Sequence, residues 1–303
     1  MTDAVTRMNG KIIHALSGFY YVEAADFVFE CKAKGAFRSR NITPLVGDEV
    51  EIETDGDKGV ITAVKERRNF LRRPPVANVD RLLILSSVER PRPNLQVLDK
   101  LTAFAVSHQV EPVILFSKCD LGDAAPYLAI YRKTPFTALA VSTVTGEGVE
   151  QAAALIEGCT CAFAGNSGVG KSSLINALVP GLSLETNDIS DKLGRGRHTT
   201  RSVRLYRCGG GFVMDTPGFS SFDLLRDSEK IRKEDLPDCF PEFAAFSDDC
   251  RFASSCAHLN DKGCAVRAAV ERGEIAQERY DSYRQMYEEV KGLKDYQITG
   301  NRQ

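Results

Sequence analysis

No apolar run in this sequence is long enough to cross a bilayer. The longest, such as Leu82-Leu83-Ile84-Leu85 and Val113-Ile114-Leu115-Phe116, are strand-sized. A spanning helix needs ~20 residues. Excess charge of either sign is also missing, with 39 Lys and Arg against 41 Asp and Glu and a net of −2. Bulk charge therefore does not mark a nucleic-acid binder, and any such surface must be local. The N-terminus has no basic-then-apolar signal pattern. Even pairing of cysteine is absent: nine are spread over 303 residues, which argues against a secreted disulfide scaffold. Internal repeats and low-complexity tracts are lacking. The expectation is a cytoplasmic globular chain of two or three domains.

What is present falls into three stretches. Within residues 1–73, Phe19–Glu23, Asp26–Cys31, Glu49–Ile52 and Gly59–Val64 are β-rich and separated by Gly, Asp and Pro. About five strands in this length suit a small closed barrel of the OB type. Pro74-Pro75 interrupts the chain and reads as a linker. Residues 74–227 alternate strands (Arg81–Leu85, Val113–Phe116, Thr160–Ala164, Phe212–Asp215) with helical patterns (Leu95–Val106, Leu174–Leu178). That alternation predicts an α/β domain, a parallel sheet covered by helices on both faces. Residues 228–303 read as mostly helical with an irregular, cysteine-bearing insert. There Tyr280, Tyr283, Tyr287 and Val290 fall at helical spacing, an apolar stripe that must pack on something.

Gly165-Asn166-Ser167-Gly168-Val169-Gly170-Lys171-Ser172 fits G-x-x-x-x-G-K-S between a strand and a helix, the context this P-loop motif requires. Its backbone N–H groups and the helix N-terminus suit phosphate oxygens. Lys171 should reach the β- and γ-phosphates, and Ser172 should ligate Mg²⁺, with Ser173 beside it. Asp215-Thr216-Pro217-Gly218 ends a later strand; Asp215 can hold Mg²⁺ through water, and Gly218 can offer its N–H to the γ-phosphate.

Ser117-Lys118-Cys119-Asp120 decides the base. The Asp120 carboxylate can accept the ring N–H and exocyclic amino group of guanine. Adenine would present a lone pair there, so the carboxylate rejects it. Lys118 can lay its stem on the base. Ser142 and Thr143, after another strand, suit its far side. The nucleotide read from these residues is GTP or GDP. In a shorter-range pattern, Cys250-x5-Cys256-x-His258-x5-Cys264 supplies three thiolates and an imidazole, the donor set of closed tetrahedral zinc.

In ordinary GTPases the phosphate loop precedes the guanine motif. Here Asp120 precedes Gly165. A circularly permuted sheet can build the same site, because strand positions matter and connection order does not. At this point the chain closely resembles the circularly permuted GTPases, specifically the bacterial small-ribosomal-subunit-dependent GTPase family. The resemblance covers nearly the whole chain. It implies an N-terminal barrel, a permuted GTPase domain and a zinc-binding C-terminal domain, and a GTP hydrolase that acts on maturing small subunits and is stimulated by them.

Two departures stand out. Ser117 occupies the place of the usual Asn of Asn-Lys-x-Asp, and one extra residue separates Cys250 from Cys256, expected to bulge outward within Arg251–Ser255. The stretch Gly194–Arg201 lies where a first switch belongs, though its residues alone also suit a solvated basic loop. The resemblance suggests Thr200 as a Mg²⁺ ligand, with Thr199 the alternative. Phe219 sits where Ras-type enzymes carry a water-orienting Gln. It cannot hydrogen-bond water, which predicts slow intrinsic hydrolysis. His198 is the candidate catalytic group beside Lys171 and Thr200, since an imidazole can orient or deprotonate water. Residues 65–73, with Phe70 among Lys65, Arg67, Arg68, Arg72 and Arg73, suit an RNA contact or a solvated linker, and Arg38 and Arg40 extend the patch. The resemblance favours ribosomal RNA and a monomer. A non-catalytic GTP-sensing RNA-binding switch is the alternative reading of the residues.

Overall fold

The computed structural model describes residues 6–35, 37, 42–72, 74–179, 181–182, 184, 203–215 and 231–293. The first unit is a barrel of β1 (Thr6–Leu16), β2 (Phe19–Ala24), β3 (Phe27–Ala33), β4 (Glu49–Asp55) and β5 (Lys58–Val64). The strands run in the order β1-β2-β3-β5-β4, and β4 pairs back onto β1. This closed ring, with β3 and β5 parallel, matches the expected OB type. Ile12, Val22, Val50, Ile52 and Ile61 fill it and are fully buried. β1 has no clean apolar alternation, so its sequence gives little strand signal. Its Gly10 lies where β1 touches both neighbours; a Cβ there would meet Val22 Cγ1 at 2.6 Å and Glu23 O at 2.7 Å.

Pro74-Pro75 is not a free linker. β6 (Phe70–Arg72) and β7 (Pro75–Ala77) form a hairpin around it, and Leu71 and Val76 are buried in the main core. Arg67 clamps Asp48 through two bonds of 2.7 Å. Arg68 pairs with Asp80 at 2.5 Å, and Asp80 also accepts Thr160 N–H at 2.7 Å. Two cations of the basic run are therefore engaged within the protein.

The nucleotide domain follows as β8 (Arg81–Ser87), α1 (Leu95–Ser107), β9 (Glu111–Ser117), α2 (Ala125–Tyr131), β10 (Thr137–Val141), α3 (Val149–Ala154), β11 (Thr160–Ala164), α4 (Lys171–Leu178), β12 (Arg204–Cys208) and β13 (Gly211–Asp215). The order is β10-β9-β8-β11-β13-β12, parallel except for β12. The strand sequences are near-continuous apolar runs because both faces are covered. Leu82 and Ile84 enter one core cluster, while Leu83 and Leu85 enter the other. β12 pairs with β1 at His14↔Arg204, so barrel and nucleotide sheet are continuous.

In the last stretch, α5 (Ala244–Ser247), α6 (Ala265–Glu271) and α7 (Gln277–Val290) surround Phe240, Phe243 and Leu236. The Tyr280–Tyr283 stripe packs here, as its spacing predicts. Arg279, the residue before that stripe, is fully buried. It bonds Asp99 of α1 at 2.7 Å, Glu242 at 2.7 Å and Thr102 at 3.0 Å, beneath the Phe240 ring at 4.5 Å. Burial alone would lower the guanidinium pKa; the two carboxylates outweigh that and raise it. Arg279→Met leaves Glu242 without its cation and Asp99 with only the Tyr131 hydroxyl at 2.8 Å, and a loss of ~3–5 kcal/mol is expected in urea melts. Replacing Asp99 and Glu242 with Leu and Tyr131 with Phe as well should recover much of it.

Candidate functional site

Both nucleotide motifs sit at the carboxyl ends of parallel strands, where open α/β sheets bind ligands. β11 delivers the phosphate loop and β9 the base loop, with β8 between them. Gly165 adopts φ 146°, and a Cβ there would lie 2.5 Å from Leu85 O, so only glycine lets the loop turn against β8. Gly170 precedes α4, and Lys171, Ser172 and Ser173 form its first turn. The Lys171 ammonium is folded onto the loop, donating to Gly165 O and, at 3.0 Å, to Asn166 O. Burial lowers its pKa to about 8. Ser167, Gly168 and Val169 complete the loop, with Val169 buried.

The base loop is held from three directions. Ser117 hydroxyl donates to Val169 O at 2.6 Å, joining it to the phosphate loop. Lys118 Nζ donates to Arg90 O at 3.1 Å. Ser142 hydroxyl accepts Val144 N–H and Thr145 N–H at 3.2 Å and donates to Asp120 Oδ1 at 2.5 Å. Asp120 is exposed yet oriented, so its carboxylate can accept two N–H donors from a ligand. Thr143 is exposed beside it. Asp215 ends β13, next to β11. The switch stretch Gly194–Arg201, with His198, Thr199 and Thr200, lies outside the described residues. So do Gly218, Phe219, Arg38, Arg40 and Arg73.

Cys250, Cys256, His258 and Cys264 converge, all buried, with ligand atoms within 4.8 Å of one another. Cys250 Sγ and Cys264 Sγ each lie 3.6 Å from His258 Nδ1 and 3.9 Å from each other. Zn–S bonds of ~2.3 Å and Zn–N bonds of ~2.1 Å give tetrahedral edges of about 3.6–3.8 Å. Cys250, His258 and Cys264 match these edges, and Cys256 Sγ lies within 4.8 Å of each of them. Ala265 N–H and Arg267 N–H point at Cys250 and Cys264 sulfurs, at 3.3 and 3.5 Å, and would stabilise thiolates. Tyr280 and Tyr283 hydroxyls hold the carbonyls of His258 and Ala257 at 2.7 and 2.6 Å. Between Cys250 and Cys256 the chain makes a short 3-10 turn, Ala253–Ser255, preceded by half-exposed Phe252.

The motifs did not reveal the carbonyl anchors Val169 and Arg90, because backbone acceptors leave no residue signature. Arg279 left no clear signal either, because it precedes the Tyr280–Val290 stripe and reads as a solvated charge.

Strand order, loop and permuted motif order define a circularly permuted P-loop GTP-binding protein. The family model described as RsgA GTPase matches residues 64–225, and that of the RsgA N-terminal domain matches residues 9–61. The small ribosomal subunit biogenesis GTPase RsgA of Geobacillus sp. (strain WCH70) is 46% identical, over 94% of this chain and 98% of its own. The crystal structure of YjeQ from Thermotoga maritima superposes with TM-score 0.82 at 34% identity, covering 95% of this chain and 100% of its own. YloQ, described as a circularly permuted GTPase, gives 0.80 at 36% identity, covering 95% and 96%. The chain belongs to the RsgA GTPase family, and it is a GTP hydrolase.

Proposed function

We propose that this chain binds GTP with Mg²⁺ and hydrolyses it on the small ribosomal subunit during late maturation, with the subunit accelerating the reaction. The Ser117–Val169 bond carries this reading: it joins a base-reading loop to a phosphate loop in permuted order. The names of the relatives, small ribosomal subunit biogenesis GTPases, support the partner.

In this reading Asp120 accepts the guanine N1–H and 2-amino group, held in place by Ser142. Ser117, Lys118 and Thr143 complete the base site. Amides of Gly165, Asn166, Ser167, Gly168, Val169, Gly170 and Lys171 face the phosphates, with Ser172 and Ser173 at the helix start. Ser172, Thr200 and, through water, Asp215 offer the hard oxygen donors that Mg²⁺ takes. When bound, Mg²⁺ neutralises charge on the β- and γ-phosphates. Gly218 N–H meets the γ-phosphate, and His198 orients the attacking water in place of the group Phe219 lacks. Cys250, Cys256, His258 and Cys264 hold one structural zinc.

The functional units are the barrel (1–73), the permuted GTPase domain (74–227) and the zinc domain (228–303). The barrel presents half-exposed Phe70, with Arg67 against its ring, to ribosomal RNA. The protein works as a cytoplasmic monomer. The test is GTP turnover measured alone, with small subunits and with assembled ribosomes. Acceleration by small subunits is expected; its absence overturns the reading.

Lys171 makes a second measurement possible. With a pKa of about 8 it is partly neutral in the free protein above that pH. Phosphates favour the charged form, so binding takes up a proton there and affinity falls as pH rises. Calorimetry of GDP binding in buffers of different ionisation enthalpy should show proton uptake that grows from pH 7.5 to pH 8.5, a window in which the terminal phosphate of GDP is already ionised. Equal uptake at both pH values would contradict this role.

A further inference from the structure

Ser117 closes β9 at the seam between the base loop and the phosphate loop. It is buried, and its hydroxyl donates to Val169 O at 2.6 Å. A hydroxyl carries one proton. That proton is committed, so Ser117 offers the site only acceptor lone pairs. An asparagine there would carry two N–H donors, one for the carbonyl and one to spare. Ser87 hydroxyl donates to Glu89 O. Lys118 Nζ gives one of its three N–H to Arg90 O at 3.1 Å, and with its stem over the face of the base it lies out of the plane in which N7 accepts.

With the N1–H and 2-amino edge of guanine on Asp120, the opposite imidazole edge turns back toward the end of β9 and the phosphate loop. Its N7 is a pure acceptor. An acceptor facing the committed Ser117 hydroxyl forms no bond. We infer that this chain recognises guanine without a hydrogen bond to N7, so that a nucleotide carrying C–H at that position binds as well as the natural one. The inference rests on the proposed placement of guanine against Asp120. Ser117 then serves specificity only by fixing the loop, and selection of the base falls on the Asp120 edge.

The test is calorimetric titration of the full-length protein with GDP, 7-deaza-GDP and inosine diphosphate. GDP and 7-deaza-GDP should bind within about twofold of each other. Inosine diphosphate, which lacks the 2-amino donor, should bind at least about tenfold more weakly, the usual loss for one hydrogen bond to a carboxylate. A tenfold preference for GDP over 7-deaza-GDP would overturn the inference while leaving the base placement intact. Inosine diphosphate binding as tightly as GDP would remove the placement itself, and the inference with it.

Two variants sharpen the result. Ser117→Ala should weaken GDP and 7-deaza-GDP by the same factor, because only loop positioning is lost; a selective loss for GDP would show that Ser117 reads N7. Ser117→Asn should create a preference for GDP over 7-deaza-GDP by supplying the spare N–H. Should neither variant fold, the comparison of the three nucleotides on the unaltered protein still decides the question.

Discussion

Stripping zinc with excess chelator should unfold most of residues 231–293 and leave the barrel and nucleotide sheet folded. The segment is small and largely irregular. Its α-helices are the four-residue α5, α6 and α7. Small zinc domains draw ~10–16 kcal/mol of apparent stability from the metal. Here an aromatic cluster of Phe240, Phe243, Tyr280 and Tyr283 contributes too, but it is built against the ligands. Phe243 stacks edge-on to His258 at 5.8 Å, and both tyrosine hydroxyls hold the His258 loop. Without the cation, burial pushes the Cys256 thiol up to about 12 and raises Cys264, so neutral thiols would sit where thiolates are needed. Hydrogen exchange after chelation should show protection lost across Gln277–Val290 and kept in β8, β9 and β11. Full protection at zero zinc content would refute a structural metal.

Asp120→Asn should exchange the preferred base. Guanine offers two donors to a carboxylate. An amide accepts one and points its own N–H at the other. A loss of GDP affinity on the order of 10⁴-fold is expected, the scale at which a built polar site rejects a mismatched partner. Xanthine carries a carbonyl in place of the 2-amino group, which accepts the new N–H, so xanthosine diphosphate should bind the variant well. Ser142 makes the exchange possible. Its hydroxyl is fixed by two backbone N–H groups and donates to Asp120 Oδ1 at 2.5 Å. The variant's amide oxygen can accept the same bond, so its orientation is retained. Competition between the two nucleotides on both proteins measures the switch. Unchanged GDP affinity in the variant would remove Asp120 from base recognition.

The site is largely legible in the sequence because its chemistry is local. A glycine loop in which a Cβ would come within 2.5 Å of β8 tolerates no side chain, so Gly165 is visible as a residue type. The same holds for Lys171, Asp120 and the cysteine cluster, whose residue types suit the proposed chemistry. Strands β8, β9 and β11 are legible because two buried faces demand unbroken apolar runs. β1 is not, because its pairing with both β2 and β4 requires Gly10 and tolerates polar residues at the barrel rim. The Pro74-Pro75 pair reads as a linker because proline stops regular structure. Its role in a buried hairpin depends on Leu71 and Val76 meeting a core formed elsewhere in the chain.

By itself, then, the sequence determined the nucleotide class, the metal donor set and the permuted order of motifs. Each is written in side chains whose chemistry does not depend on distant partners. Only the tertiary structure decided how those parts are joined. It directed the Ser117 proton to Val169 O, committed Arg67 and Arg68 to Asp48 and Asp80, and buried Arg279 between Asp99 of α1 and Glu242 of the C-terminal segment. A charge or a hydroxyl proton has many possible partners along the chain. Folding selects among them, because a buried polar group left without a partner costs ~1–3 kcal/mol, and a buried charge more.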